Sequence, residues 1–215
     1  MPLREALIFF FCLVAAVILH EISHGVVAFW LGDDTAKRAG RLTLNPVPHI
    51  DPFGSIVLPA MGALTGLPVI GFAKPVPVDP RRLRNPRRDM LFVSLAGPFT
   101  NFLLMAGAAL LTRSLLHGGG FLGAGIGAEG PDLVVQIAFA FAVVNLFLGL
   151  FNLLPIPPLD GSALVERVLP PRWLPTWHRF RPYGFLVLVL LVISTNVVSR
   201  LLEPFFDALR DFVVT

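Results

Sequence analysis

EALIFFFCLVAAVILHEISHGVVAFWL, residues 5–31, has the length and apolar character to cross a bilayer as one helix, yet its second half carries His20, Glu21 and His24. About 20 apolar residues at 1.5 Å each cover the ~30 Å hydrocarbon core. An ionisable side chain there costs roughly 2.5–3.5 kcal/mol on insertion scales, so three of them together imply a use. The apolar stretch is too long for a cleaved leader and runs into HEISH instead of a small-residue cleavage site. It is expected to stay as a membrane helix.

The rest of the chain agrees. Its 215 residues are 55% hydrophobic, and the mean hydropathy is +0.75. A water-soluble domain of this size has too little interior for that much apolar surface. Candidate spans are roughly 5–31, 53–72, 90–116, 132–154 and 184–202, with no polar region long enough for a second domain and no internal repeat. The expectation is one membrane-embedded domain over 1–215. Cys12 is the single cysteine, so an internal disulfide and a thiolate metal set are both excluded. The net charge of +3 does not point to nucleic acid, because the basic residues border the apolar segments.

Those basic residues set the threading. Segment 32–50 holds three, 73–89 holds six and 162–182 holds four, against none in 117–131. The positive-inside bias then makes the first three segments cytoplasmic and the N-terminus external. Segment 53–72, FGSIVLPAMGALTGLPVIGF, has basic flanks on both sides, four glycines, and Pro59 and Pro68. A straight crossing helix fits it poorly. The fold expected is an all-α integral membrane protein with about four transmembrane helices plus a re-entrant or sheet-like dipping element at 53–72.

His20 and His24 are one helical turn apart on one face and can grip one metal ion, as in H-E-x-x-H, where Glu21 supplies the general base. Zinc takes a third protein ligand and leaves a fourth position open. The best donor is Asp160 in NLLPIPPLDG, residues 152–161, where Pro155, Pro157 and Pro158 deny the backbone a regular helix. Both clusters approach the same cytoplasmic half of the bilayer under this threading. Asp160 could instead cap the next helix. His49 and Asp51 in PHIDP either face the site or close a turn, and His117 and His178 read as solvated loop residues. Asn101 reads as helix-packing glue near Gly97. Phe205, Phe206, Leu209 and Val213 share one helical stripe, on the outer surface or on an extension of the last helix past Pro204.

HEISH together with NLLPIPPLDG resembles the site-2 protease family of intramembrane zinc metalloproteases. LTLNPVPHIDPFGSIVLP, GFAKPVPVDPRRLRNPRRDM and SLAGPFTN are similar to its compact prokaryotic branch without PDZ or CBS domains. The resemblance covers about residues 15–165. It implies one Zn2+ per chain on His20, His24 and Asp160, Glu21 as base, and Asn152 positioning the substrate carbonyl. It further implies a multi-pass protein of the cell (inner) membrane, open to the cytoplasm, that cleaves single-pass membrane proteins in or near their transmembrane helix. The alternative is a zinc transporter. It fits less well, because the outer halves of these helices are almost wholly apolar and offer no second set of ligands.

Overall fold

The computed structural model describes residues 3–57, 61, 64, 73–117, 126–127, 130–194 and 197–215. Three of its helices are long and apolar enough to span a membrane: α1 (Leu3–Trp30, 28 residues), α3 (Pro86–His117, 32 residues) and α4 (Leu133–Asn152, 20 residues). A four-residue α2 (Thr35–Arg38) follows α1. After α4 come α5 (Ser162–Val168), α6 (Leu174–Phe180), α7 (Gly184–Ser194) and α8 (Val197–Val214). A two-residue ladder pairs Ile126–Gly127 with Gly130–Pro131.

The packing inverts that of a soluble bundle. On α1, Phe10 and Phe11 are 57% and 65% exposed while Ala16 and Ala28 are fully buried. In lipid the tails are as apolar as leucine, so association favours small residues that let backbones approach. Cys12 and Ala16 of α1 accordingly meet Ala140 and Val144 of α4, and Ala108 and Ala109 of α3 meet Ala142 and Leu146 of α4. Gly149 of α4 lies against the Phe102 ring, where an added Cβ would stand 3.1 Å from it. Cys12 is thus a packing residue.

These contacts fix direction. Ala28 shares a cluster with Val93, and His20 bonds Asn101, so α1 and α3 are antiparallel. Cys12 lies against Ile137 and His20 reaches Asn145 through Asn101, so α1 and α4 are parallel. Leu209 and Val213 of α8 pack on α3 and α4, with Phe206 beside them and Phe205 48% exposed. Pro204 sits inside α8 without ending it, so the apolar stripe extends the bundle.

Two expectations fall partly outside the described residues. Within 184–202 the described residues form the 11-residue α7 and the start of α8, with 195–196 outside the described residues. Of 53–72, a π-type turn at Pro52–Val57 is described together with residues 61 and 64, and the remainder of the expected dipping element lies outside the described residues.

Candidate metal centre

His20 and His24 project from one face of α1 toward α3, where Gly97 makes room for them. A Cβ on Gly97 would lie 2.6 Å from both Nε2 atoms, so the position admits no side chain. Asp160 arrives from the far end of α4. Pro155, Pro157 and Pro158 stop that helix, and the chain folds back so that the Gly161 N–H donates to Asn152 O at 2.7 Å. Gly161 is needed at this crossing, because a Cβ there would strike the Leu153 and Leu154 carbonyls. The carboxylate is thereby turned inward instead of capping α5, whose N-cap residue, Gly161, makes no side-chain cap bond.

The three donor atoms converge. His20 Nε2 and His24 Nε2 are 3.1 Å apart, and Asp160 Oδ2 is 3.1 Å and 3.4 Å from them. His24 Nδ1 lies 2.6 Å from the Val93 carbonyl. A carbonyl only accepts, so Nδ1 holds a proton and, in the neutral ring, Nε2 is bare. His20 Nδ1 likewise donates to Asn101 Oδ1 at 2.6 Å. Two nitrogen lone pairs and a carboxylate oxygen therefore face one another, and Asp160 Oδ2 is buried with no hydrogen-bond donor. Only positive charge among them turns this repulsion into attraction. A proton would serve one pair; a divalent cation serves all three. Tetrahedral zinc with bonds of ~2.0–2.1 Å places neighbouring donors about 3.3–3.4 Å apart, close to the separations observed. The chemistry of the set, two imidazoles and one carboxylate, fits zinc with a fourth position left open.

Glu21, beside this set on α1, accepts from the Val76 N–H at 2.8 Å. Asn152 ends α4, and its Nδ2 donates to Leu148 O at 3.0 Å, one turn back. His49 and Asp51 close a turn: His49 Nε2 bonds Thr43 O at 3.0 Å, and Asp51 Oδ1 accepts from Phe53 and Gly54 N–H at 3.0 Å and 2.7 Å. His117 and His178 are exposed but helical, ending α3 and lying within α6. Asn101 does more than pack helices, since its Oδ1 accepts from Nδ1 of His20, one of the three converging donors. Asn145, bonded in turn to Asn101, is absent from the sequence reading, although a lone amide in an apolar helix is itself a signal.

A membrane bundle enclosing a His–His–Asp cation site, with a glutamate in the same helical turn, is the class of membrane-embedded metallopeptidases. The profile of peptidase family M50 matches residues 128–194, the arm that carries Asp160. "Putative zinc metalloprotease YwhC" of Bacillus subtilis is 38% identical over 202 residues, covering 94% of this chain and 87% of that protein. "Putative zinc metalloprotease Rip2" of Mycolicibacterium smegmatis is 31% identical over 180 residues, 83% of this chain and 64% of its own. "Putative zinc metalloprotease Rip3" of Mycobacterium tuberculosis is 32% identical over 157 residues, 73% of this chain and 30% of its own. No solved structure matches the chain. The chain belongs to peptidase family M50, the site-2 protease family, and is a zinc metalloprotease.

Proposed function

We propose that the protein hydrolyses a peptide bond within or near the transmembrane helix of a single-pass membrane protein, in the cytoplasmic half of the bilayer. The observation that carries this is the convergence of His20, His24 and Asp160 inside membrane-length helices instead of on a soluble surface. Zinc bound there supplies Lewis-acid polarisation of the scissile carbonyl and acidifies the attacking water. Glu21 takes that water's proton and delivers it to the leaving amine. Asn152 has one amide hydrogen committed to Leu148 O and a second free to meet the developing oxyanion.

The site opens to the cytoplasm. Support comes from the end of the bundle where Trp30 and Pro86 lie, since Lys37, Arg38, Arg41, Lys74, Arg82 and Arg84 are gathered there. A re-entrant 53–72 is supported by its two flanks returning to one place. Lys74 N–H donates to His49 O at 2.9 Å and Arg84 N–H to Leu31 O at 3.2 Å. A fourth crossing, expected over 184–202, is supported by the ends of the segment it belongs to: Gly184 abuts Pro157 of the site loop, whereas Val213 O accepts from His117 at the far end of α3.

The test is cleavage of a single-pass substrate by the purified protein in liposomes, with the cut mapped by mass spectrometry. A cut in the cytoplasmic half, lost with Glu21→Gln, is expected. Cutting confined to soluble segments of the substrate would overturn the reading.

A further inference from the structure

Two amides are fully buried at the centre of the bundle, Asn101 on α3 and Asn145 on α4. An amide in an apolar interior is costly unless its donors and acceptor are met. Here each amide oxygen and one N–H of each amide are met by an ordered chain. Asn145 Nδ2 donates to Phe141 O at 2.8 Å. Asn101 Nδ2 donates to Asn145 Oδ1 at 2.9 Å. Asn101 Oδ1 faces His20 Nδ1 at 2.6 Å.

We infer that Asn101 and Asn145 form a directional relay that fixes the tautomer of His20, making Asn145 a positioning residue for the metal although it touches no ligand. The direction follows from its far end. Phe141 O is a backbone carbonyl and cannot donate, so Asn145 must turn its NH2 toward it and its oxygen toward Asn101. That oxygen requires a donor, so Asn101 presents Nδ2 to it and Oδ1 to His20. The His20 proton is thereby held on Nδ1, and the Nε2 lone pair is aimed at the metal. Flipping Asn101 alone would set two amide oxygens 2.9 Å apart and drive the His20 proton onto Nε2, where it blocks ligation. His24 needs no such relay, because the Val93 carbonyl fixes it directly. A backbone carbonyl on α4 thus sets the proton position of a residue on α1, through α3.

The inference rests on His20 as a metal ligand, and the experiment separates the two. Zinc affinity of the purified full-length protein is measured by chelator competition for wild type, His20→Ala, Asn101→Leu, Asn145→Leu and the double Asn101→Leu/Asn145→Leu. Outer-shell changes at histidine ligands typically cost 10–100-fold in metal affinity. A loss of about that size is expected for each asparagine variant, with the double no weaker than Asn101→Leu alone. Retained affinity in His20→Ala would overturn the ligand assignment. Loss in His20→Ala with none in Asn145→Leu, or additive losses in the double, would overturn the relay alone. A second readout is the tautomer itself, which wild type alone can already contradict. Nitrogen-15 NMR of histidine-labelled, zinc-free wild type should show His20 protonated at Nδ1, and Asn145→Leu should show a mixture of tautomers. A wild-type ring protonated on Nε2 and not on Nδ1 would sink the relay.

Discussion

The backbone N–H of Val76 donates to Oε2 of Glu21 at 2.8 Å across 55 residues of chain. The carboxylate assigned as base is therefore held by an extended strap, residues 73–79. Pro75 and Pro77 stiffen the strap and remove the N–H on either side of Val76. Arg41 fastens its start, with Nη2 donating to Lys74 O at 2.6 Å. Replacing Arg41 by Met should lower kcat/KM about tenfold, the scale of one positioning bond near 1.4 kcal/mol, with zinc content unchanged. Cleavage at the wild-type rate would show that Glu21 needs no strap.

The far end of the strap is fastened by a buried carboxylate. Asp33 Oδ2 accepts from Asp79 N–H at 2.7 Å, and Oδ1 accepts from Thr35 N–H at 3.0 Å and from the Thr35 hydroxyl. Burial pushes the Asp33 carboxyl up, but the Thr35 and Asp79 hydrogen bonds and the nearby Arg82 charge outweigh it and hold it below the ordinary carboxylate value. A lowered folded-state pKa contributes stability that is present above the unfolded value, ~3.9, and lost as pH falls through the folded one. Hydrogen exchange across 73–79 should therefore be flat from pH 8 to about pH 5, once corrected for intrinsic rates, and quicken only in stronger acid. Asp33→Asn should expose the strap at every pH. A transition near neutrality would point to a different anchor.

Gly97 yields a sharper prediction at the metal. Its missing Cβ would lie 2.6 Å from both Nε2 atoms, so a side chain there would have to displace the two imidazoles. Gly97→Ala should thus lower bound zinc from about one per chain toward none while the helices persist by circular dichroism. A zinc-replete Gly97→Ala protein would mean that the histidines bind their cation elsewhere.

The motif was legible because its geometry is local: His20 and His24 are four apart, and a helix sets them on one face whatever else the chain does. Asp160 was legible for a different reason, since a carboxylate behind three prolines has few uses at membrane depth. The Val76 contact was not. It is made by a backbone amide, which every non-proline residue has, and its 55-residue separation leaves no trace in spacing. Asn101 was read as packing because its partner on α4, Asn145, is set by helix rotation and not by sequence distance.

Threading can be tested by cysteine labelling in a Cys12→Ser background. Lys37→Cys and Arg84→Cys flank the segment 53–72, and the Arg82–Asp34 ion pair at 2.8 Å draws the two flanks together. Both should label from the cytoplasm, and Arg4→Cys only from outside. Labelling of Lys37→Cys and Arg84→Cys from opposite sides would make 53–72 a crossing helix.

The substrate should carry helix breakers near the cut. Glu21 lies nine residues before Trp30, the end of α1, or roughly 13–14 Å from the basic end at 1.5 Å per residue. A helical peptide brought to that depth has its carbonyls bonded to its own backbone, so the scissile bond must unwind before it is attacked. Glycine costs a helix about 1 kcal/mol and proline about 3 kcal/mol relative to alanine, so either lowers the work of unwinding. Replacing one such glycine by leucine should slow cleavage about fivefold, since 1.4 kcal/mol is a factor of ten. The assay compares breaker-rich and all-leucine substrate helices in detergent and in liposomes. Equal rates for the two helices in both settings would mean that unwinding does not limit this enzyme, and that the depth of Glu21 imposes no helix-breaking requirement on what it cuts.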